Sequence, residues 1–344
     1  GGGEHPCTVL WSDQLEIIKE FTRPNSIGHF YATGAEYLGY TKPSGSRHAG
    51  KVMGLAPYGE YRERFGELFD KLVGVNGGGY DVTGFRSKTL GELEEYFGER
   101  HEFPEDFEQH HKDFAFHLQK KTEEIMIHLV QSFVSKMGVQ NVSVAGGVFL
   151  NCKMNREIAK LDSINNLFIQ PVSNDAGVAL GSALKVYNSI TGKEPVANFG
   201  NVYFGPEYDN SGVEKILEEV KVSYESVDQP CKKAAELLSQ NRLVGWFQGR
   251  MEFGPRALGN RSILANPRTV QARDLVNKHV KGREEWRPFA PSLLYESKDE
   301  YLQDGFESPY MIMTDGISEE KHEEVPGIVH ADGTARPQTV QRED

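Results

Sequence analysis

The sequence predicts an α/β protein of two domains. Two successive strand–loop–helix units lie between residues 141 and 189; Gly146-Gly147 follow the first strand, and Gly177 opens the helix after the second loop. The length of 344 residues accommodates two domains of ordinary size. In chain order, Thr8-Val9-Leu10-Trp11 and Leu15-Glu16-Ile17-Ile18 read as short strands joined by a turn at Ser12-Asp13-Gln14. Over residues 27–40 the apolar side chains Ile27, Phe30, Tyr31, Ala35 and Leu38 recur at helical spacing, and Gly39 stops the helix. Residues 60–105 keep no single period and turn at Gly77-Gly78-Gly79. One long amphipathic helix is predicted over 106–137, from Phe114, Leu118, Ile125, Leu129 and Phe133, with Gly138 as its C-cap. The first unit is then strand 141–145, Gly146-Gly147 and a helix near 153–160. The second is strand 167–170, loop 171–175 and helix 177–189. Prolines, glycines and asparagines make 193–206 the expected linker, which gives domains 1–195 and 196–344. Helices 213–220 and 231–239, strand 243–247 and an arginine-rich segment follow.

Composition narrows the function. Lys plus Arg number 38 against 50 Asp plus Glu, a net charge of −12, which argues against nucleic-acid binding. No apolar run approaches the ~20 residues that span a bilayer, and no signal peptide is visible at Gly1 to His5. Cys7, Cys152 and Cys231 are too far apart for a zinc spacing or a disulfide framework, which suits a reducing cytoplasm. The chain starts without Met and is expected to be a piece of a longer protein.

Several segments have chemical potential. Residues 45–52 nearly match a P-loop, but Val52 replaces the magnesium-binding hydroxyl residue; Lys51 either serves another phosphate or sits on a plain turn. Gly146 and Gly147 follow a strand end, where backbone can approach a ligand closely or simply turn. Asn151 can cap a helix or bind a ligand. Asp175 can hold a metal or cap a helix, and a helix N-terminus opened by Gly177 favours an anion. His110, His111, His117 and His128 read as surface histidines of an amphipathic helix, and Cys152 as a small buried residue rather than a nucleophile. The strongest signal is residues 242–287, with ten cationic residues against four anionic ones, a net +6. Pro255 and Gly259 should stiffen a loop on which Arg256 and Arg261 converge. Rigid arginine forks suit a small, highly charged anion.

These segments together resemble the O-carbamoyltransferases, a family that includes the nodulation-factor, cephamycin and tobramycin carbamoyltransferases. The resemblance runs through Lys51-Val52-Met53-Gly54-Leu55-Ala56-Pro57-Tyr58-Gly59, residues 146–155, 173–181 and 245–268, Arg287-Pro288-Phe289-Ala290-Pro291 and Gly333-Thr334-Ala335-Arg336-Pro337-Gln338. It implies an actin/hexokinase-like nucleotide-binding domain, then an α/β domain similar to the threonylcarbamoyl-adenylate synthase fold, both incomplete here. It implies that carbamoyl phosphate and ATP form carbamoyl-adenylate in the second domain, and that the first transfers the carbamoyl group to the hydroxyl of a small-molecule alcohol. Arg256, Arg261, Lys281, Arg287 and Arg336 would hold carbamoyl phosphate and nucleotide phosphates. Lys51, Gly146, Gly147, Asn151 and Gly177 would serve the nucleotide, and Asp175 would be one ligand of a divalent metal (Mg, Mn or Fe). A histidine pair, a further aspartate and a general base are expected from a segment preceding Gly1. Residues 60–105 are expected to shape the acceptor pocket. A protein of tRNA threonylcarbamoyl-adenosine synthesis and a non-catalytic nucleotide-binding module are the alternatives.

Overall fold

Residues 6–12, 16–40, 48–103, 105–193 and 200–342 are described by a computed structural model. The chain divides into two units, 1–169 and 170–344. Most of the expected turn at 12–14, residues 45–47 of the P-loop-like segment and residues 194–199 of the linker lie outside the described residues.

The first unit opens with β1 (Pro6–Trp11) and β2 (Ile17–Thr22), an antiparallel pair in which Val9 faces Glu20. Ser26 caps α1 (Ile27–Tyr37) by accepting from the His29 N–H. Lys51 ends a single 3₁₀ turn ahead of α2 (Val52–Leu55), and its amine lies over the rings of Tyr40 and Phe103 at 5.2 and 5.7 Å. The segment without a clear period folds into α3 (Glu63–Leu72), the hairpin β3 (Gly74–Asn76) and β4 (Gly79–Asp81), α4 (Thr83–Arg86) and α5 (Leu90–Phe97). Apart from β3, its short elements each contribute one or two aromatic residues, which is why no long period shows in the sequence. Phe69, Phe85 and Phe97 pack with Phe30 and Phe114 as a buried aromatic core, with ring centroids 4.9–5.6 Å apart across Phe30–Phe85, Phe97–Phe114, Phe69–Phe97 and Phe69–Phe85. Each such side chain contributes roughly 1.5–3 kcal/mol by burial.

This core surrounds α6 (Gln109–Met137), capped at Gly138 as the sequence predicts. The helix starts three residues later than expected because Glu108 and His111 close a capping box. His111 and His117 are buried, not surface residues as expected from the helical pattern. Main-chain groups from distant segments satisfy their rings: the Glu108 N–H donates to His111 Nδ1, His111 Nε2 meets the Glu99 carbonyl at 2.9 Å, and the Arg62 N–H donates to His117 Nε2 at 2.9 Å. Beyond α6 the chain runs through β5 (Asn141–Val144), α7 (Cys152–Ala159) and β6 (Asn166–Ile169), with β5 and β6 parallel. The strand–helix alternation is present and β5 and β6 are parallel, as a largely parallel sheet requires, but among the described residues that sheet holds these two strands, and α8 (Asp175–Thr191) follows β6 after a short loop.

The second unit continues with α9 (Asn210–Glu219), α10 (Pro230–Ser239), the antiparallel pair β7 (Val244–Phe247) and β8 (Arg261–Leu264), and α11 (Val270–Leu275) running into a π-helical turn, Val276–Lys281. After β9 (Ser292–Leu294) and α12 (Lys298–Tyr301), β10 (Asp315–Gly316) pairs antiparallel with β11 (Thr334–Ala335). The strand β12 (Gln338–Val340) then lies parallel to β9, with Gln338 opposite Ser292. Among the described residues no helix is long and apolar enough to cross a membrane.

Candidate functional site

In the first unit, β5 delivers the chain to Gly146, whose φ of +106° is a backbone conformation that side-chain-bearing residues rarely adopt. A Cβ added at Gly146 or Gly147 would meet no atom within 4 Å, so this loop borders open space. Asn151 is different. Its Oδ1 accepts from the Met154 N–H and from Gln119 Nε2, and its Nδ2 donates to Gln119 Oε1, with Tyr31 donating to the same oxygen at 2.7 Å. Gln119 also donates to Glu123. Asn151 is thus a helix cap inside a buried polar network. Burial, then the nearby Glu123 and Cys152, push the Tyr31 phenol well above its ordinary pKa. Cys152 is buried.

In the second unit, Asp175 is the first residue of α8, and the cap is Asn174, which accepts from the Ala176 N–H. Gly177 fits where a Cβ would overlap the Val172 carbonyl, so it serves close packing of the helix on the preceding loop. Among the described residues no three His, Cys, Asp or Glu side chains gather in a metal-binding group. A divalent ion needs several ligands placed together, so Asp175 and its surroundings do not by themselves fit one.

The arginine-rich segment resolves into two constructions. The first is the loop 254–261, closed around Glu252. Oε1 of Glu252 accepts from the N–H groups of Leu258 (2.7 Å), Asn260 (2.9 Å) and Arg261 (3.2 Å), and Oε2 accepts from Arg261 Nε at 2.8 Å. The carboxylate is fully buried. Burial raises its pKa, but the Arg261 guanidinium and the backbone donors outweigh that, and the group lies below the ordinary carboxylate value. Gly259, at φ +110°, lets the loop close. Arg261 is therefore engaged inside the loop rather than converging with Arg256 on an external anion. Arg256 is half-buried.

The second construction follows from strand pairing. Because β9 and β12 are parallel, their N-terminal ends coincide, and the segments leading into them carry Arg287 and Arg336. Gln338 fastens the junction: its N–H donates to the Pro291 carbonyl, Ser292 Oγ donates to its Oε1 at 2.9 Å, and its Nε2 donates to the Leu258 carbonyl at 3.0 Å. The loop 254–261 is thereby held beside β12. Arg283 joins the group. Burial first, then the like charges of Arg287 and Arg336, push its guanidinium down to about 10, with Glu284 opposing them. One face of Arg283 lies 4.8 Å from the Phe289 ring centroid. Nε of Arg336 is buried and makes no hydrogen bond among the described residues. Arg283 thus lies within electrostatic reach of Arg287 and Arg336, and the Glu284 carboxylate, 3.9 Å from Arg287 Nη1, offsets part of this half-buried positive charge.

Of the sequence-predicted set, Arg287 and Arg336 precede the paired strands β9 and β12, and both lie within electrostatic reach of Arg283. Lys281 is exposed at the end of the π-helical turn, and no described interaction joins it to them. Arg283 was counted in the basic segment but not singled out, and nothing local distinguishes it from its neighbours. The net +6 also overstates the free charge. Arg250 pairs with Glu207 and Arg268 with Glu324, carboxylates from outside the counted window, and Arg273 pairs with Asp274.

The comparisons agree along the chain. A family model described as carbamoyltransferase N-terminus matches residues 1–184, and one described as carbamoyltransferase C-terminus matches residues 235–344. Nodulation protein NolNO of Sinorhizobium fredii is 36% identical over 358 residues, covering 99% of this chain and 51% of the relative. Nodulation protein NolO of Bradyrhizobium diazoefficiens is 37% identical over 355 residues, covering 99% and 63%. The 3'-hydroxymethylcephem-O-carbamoyltransferase of Streptomyces clavuligerus is 38% identical over 197 residues, covering 57% and 36%. The chain spans between half and two thirds of the two nodulation relatives.

Proposed function

The chain belongs to the carbamoyltransferase family, and we propose that the whole protein is an ATP-dependent O-carbamoyltransferase that acts on the hydroxyl of a small molecule. The family match along both units carries this, and the placement of Arg283, Arg287 and Arg336 as a cradle around the entries to β9 and β12 supports it. Carbamoyl phosphate is a small dianionic ester, and guanidinium forks match its phosphate oxygens bidentately. In the proposed sequence, water releases phosphate from carbamoyl phosphate. The carbamate oxygen then attacks the α-phosphorus of ATP, forming carbamoyl-adenylate and expelling pyrophosphate. Fixed guanidinium groups stabilise charge that develops on phosphoryl oxygens in both steps. The alcohol oxygen finally attacks the carbamoyl carbon, its proton leaves to base, and AMP departs. The open loop at Gly146 and Gly147 is the candidate nucleotide wall for that transfer. The name of the cephem relative, which specifies a hydroxymethyl acceptor, supports an alcohol as acceptor class.

Pyrophosphate release from ATP by the whole protein tests the reading. It should require carbamoyl phosphate, and Arg336→Gln should weaken carbamoyl phosphate binding by about 1.5–3 kcal/mol, the range for hydrogen bonds to charged groups. The same substitution should leave the melting temperature unchanged or raise it slightly, because it removes a like charge from the cradle. Pyrophosphate release with threonine and bicarbonate instead would transfer the protein to threonylcarbamoyl-adenylate chemistry. No release with either donor would leave a binding module.

A further inference from the structure

Asn277 lies on the π-helical turn and is fully buried. Every functional atom of its side chain faces the segment that carries Arg283 and Arg287. Its Oδ1 accepts from Arg283 Nε at 2.7 Å. Its Nδ2 donates to the carbonyls of Glu285 at 3.2 Å and Arg287 at 3.0 Å. Its own carbonyl accepts from the Arg283 N–H at 3.1 Å. Gly282, at φ +52°, reverses the chain between the turn and this segment.

We propose that Asn277 is the positioning residue of the arginine cradle, holding Arg283 and Arg287 at the spacing that a phosphate-type anion bridges, without touching the anion itself. The proposal rests on reading the cradle as the carbamoyl phosphate site. Like charges on a loose segment swing apart into water. Held in place, they spend less of the binding energy on ordering when an anion arrives to add to the partial neutralisation that Glu284 provides. The residue type is dictated by the partners. An amide accepts from a cation at one end and donates to two carbonyls at the other. A carboxylate of the same shape would face those carbonyls with no proton to offer, and an aliphatic side chain would remove all three hydrogen bonds. π-Helical turns carry such roles often, because the added residue re-aims one side chain inward.

Calorimetric titration of carbamoyl phosphate into the whole protein tests this, with thermal melts alongside. The variants are Asn277→Ala, Asn277→Asp, Arg283→Ala, the double variant Asn277→Ala/Arg283→Ala, and Arg336→Gln as the reference for the cradle. Asn277→Ala should bind at least tenfold more weakly while folded. Asn277→Asp keeps the volume and the bond to Arg283, so it serves even if the alanine variant unfolds. It should lose more affinity, because it adds a negative charge beside the cradle. In the Arg283→Ala background, Asn277→Ala should cost clearly less than it does alone, since part of its effect passes through that guanidinium. A residue that merely supports the fold would lower the melting temperature and leave the affinity of the folded fraction unchanged. Parent-like affinity in both Asn277 variants, with binding lost in Arg336→Gln, overturns the positioning role and leaves the site reading intact. Equal losses in the two Arg283 backgrounds overturn it as well. Parent-like affinity in Arg336→Gln overturns the site reading and this proposal together.

Discussion

Glu252 shows how much one buried carboxylate can organise. Four hydrogen bonds end on it, and together they fix the loop 254–261. Glu252→Gln keeps the shape but removes the charge, and its amide group has to face donors on one side. The expected cost is about 1.5–3 kcal/mol, the range for hydrogen bonds to a charged group. Urea denaturation of the second unit, followed through Trp246 fluorescence, measures it; an unchanged midpoint would mean that the loop is held by other contacts. This role was not legible in the sequence, where Glu252 is simply one of four negative residues in a basic stretch. Its partners are main-chain N–H groups, and a sequence does not show which side chain its own backbone will close around.

Among the elements, α6 was readable and its surroundings were not. Its apolar spacing and Gly138 are local signals. The burial of His111 and His117 depends on Glu99 and Arg62, which arrive from separate elements. The segment Ala56-Pro57-Tyr58-Gly59 packs so closely on α6 that a Cβ at Gly59 would overlap the Lys112 carbonyl. The backbone at Gly59 is otherwise ordinary, with φ −97°, so lack of space is the whole requirement. Backbone cannot swing away as a side-chain tip can. Gly59→Ala is therefore expected to destabilise the first unit by about 3 kcal/mol, as overpacking of a tight contact does. A thermal melt of the variant checks this, and parent-like stability would show that the segment can lift off the helix. The β5–α7–β6 alternation was legible for the same reason as α6, since period and glycine are local. The pairing of the segments that carry Arg287 and Arg336 was not, because it follows from the parallel register of β9 and β12, almost fifty residues apart in sequence.

Over the whole molecule, the two units should respond to acid in different windows. Burial, with the neighbouring His110, pushes His111 down to about 4 from an ordinary value of 6.5, and burial lowers His117 as well. Between those two values the unfolded chain binds protons that the folded unit refuses. The first unit therefore loses stability as pH falls from 6.5 towards 4, by at most ~3 kcal/mol for His111 at 1.36 kcal/mol per pKa unit. Glu252 works in a lower range. Its folded pKa is depressed, so its contribution is complete above the ordinary carboxylate value of 4.5 and is lost only as pH falls through the folded pKa. Urea titrations near pH 7 and near pH 5, with Trp11 reporting the first unit in a Trp246→Phe/Trp286→Phe background, should show its midpoint moving down. In a separate Trp11→Phe/Trp286→Phe background, Trp246 should report a second unit almost unmoved by the Glu252 contribution over that interval. An unmoved Trp11 midpoint would mean that His111 can take up a proton without leaving its place.

The loop closed on Glu252 has a consequence for selectivity. Backbone N–H groups gathered on one point ordinarily invite any passing oxyanion. Here the chain supplies its own guest, tethered and always present, so sulfate or phosphate from solution finds those donors taken. A loop closed on its own carboxylate is ordered in advance, so less conformational entropy is left to lose on binding. On the proposed reading, discrimination then falls to the guanidinium groups, whose flat, two-pronged geometry favours a flat or tetrahedral oxyanion of matching width over a spherical ion such as chloride.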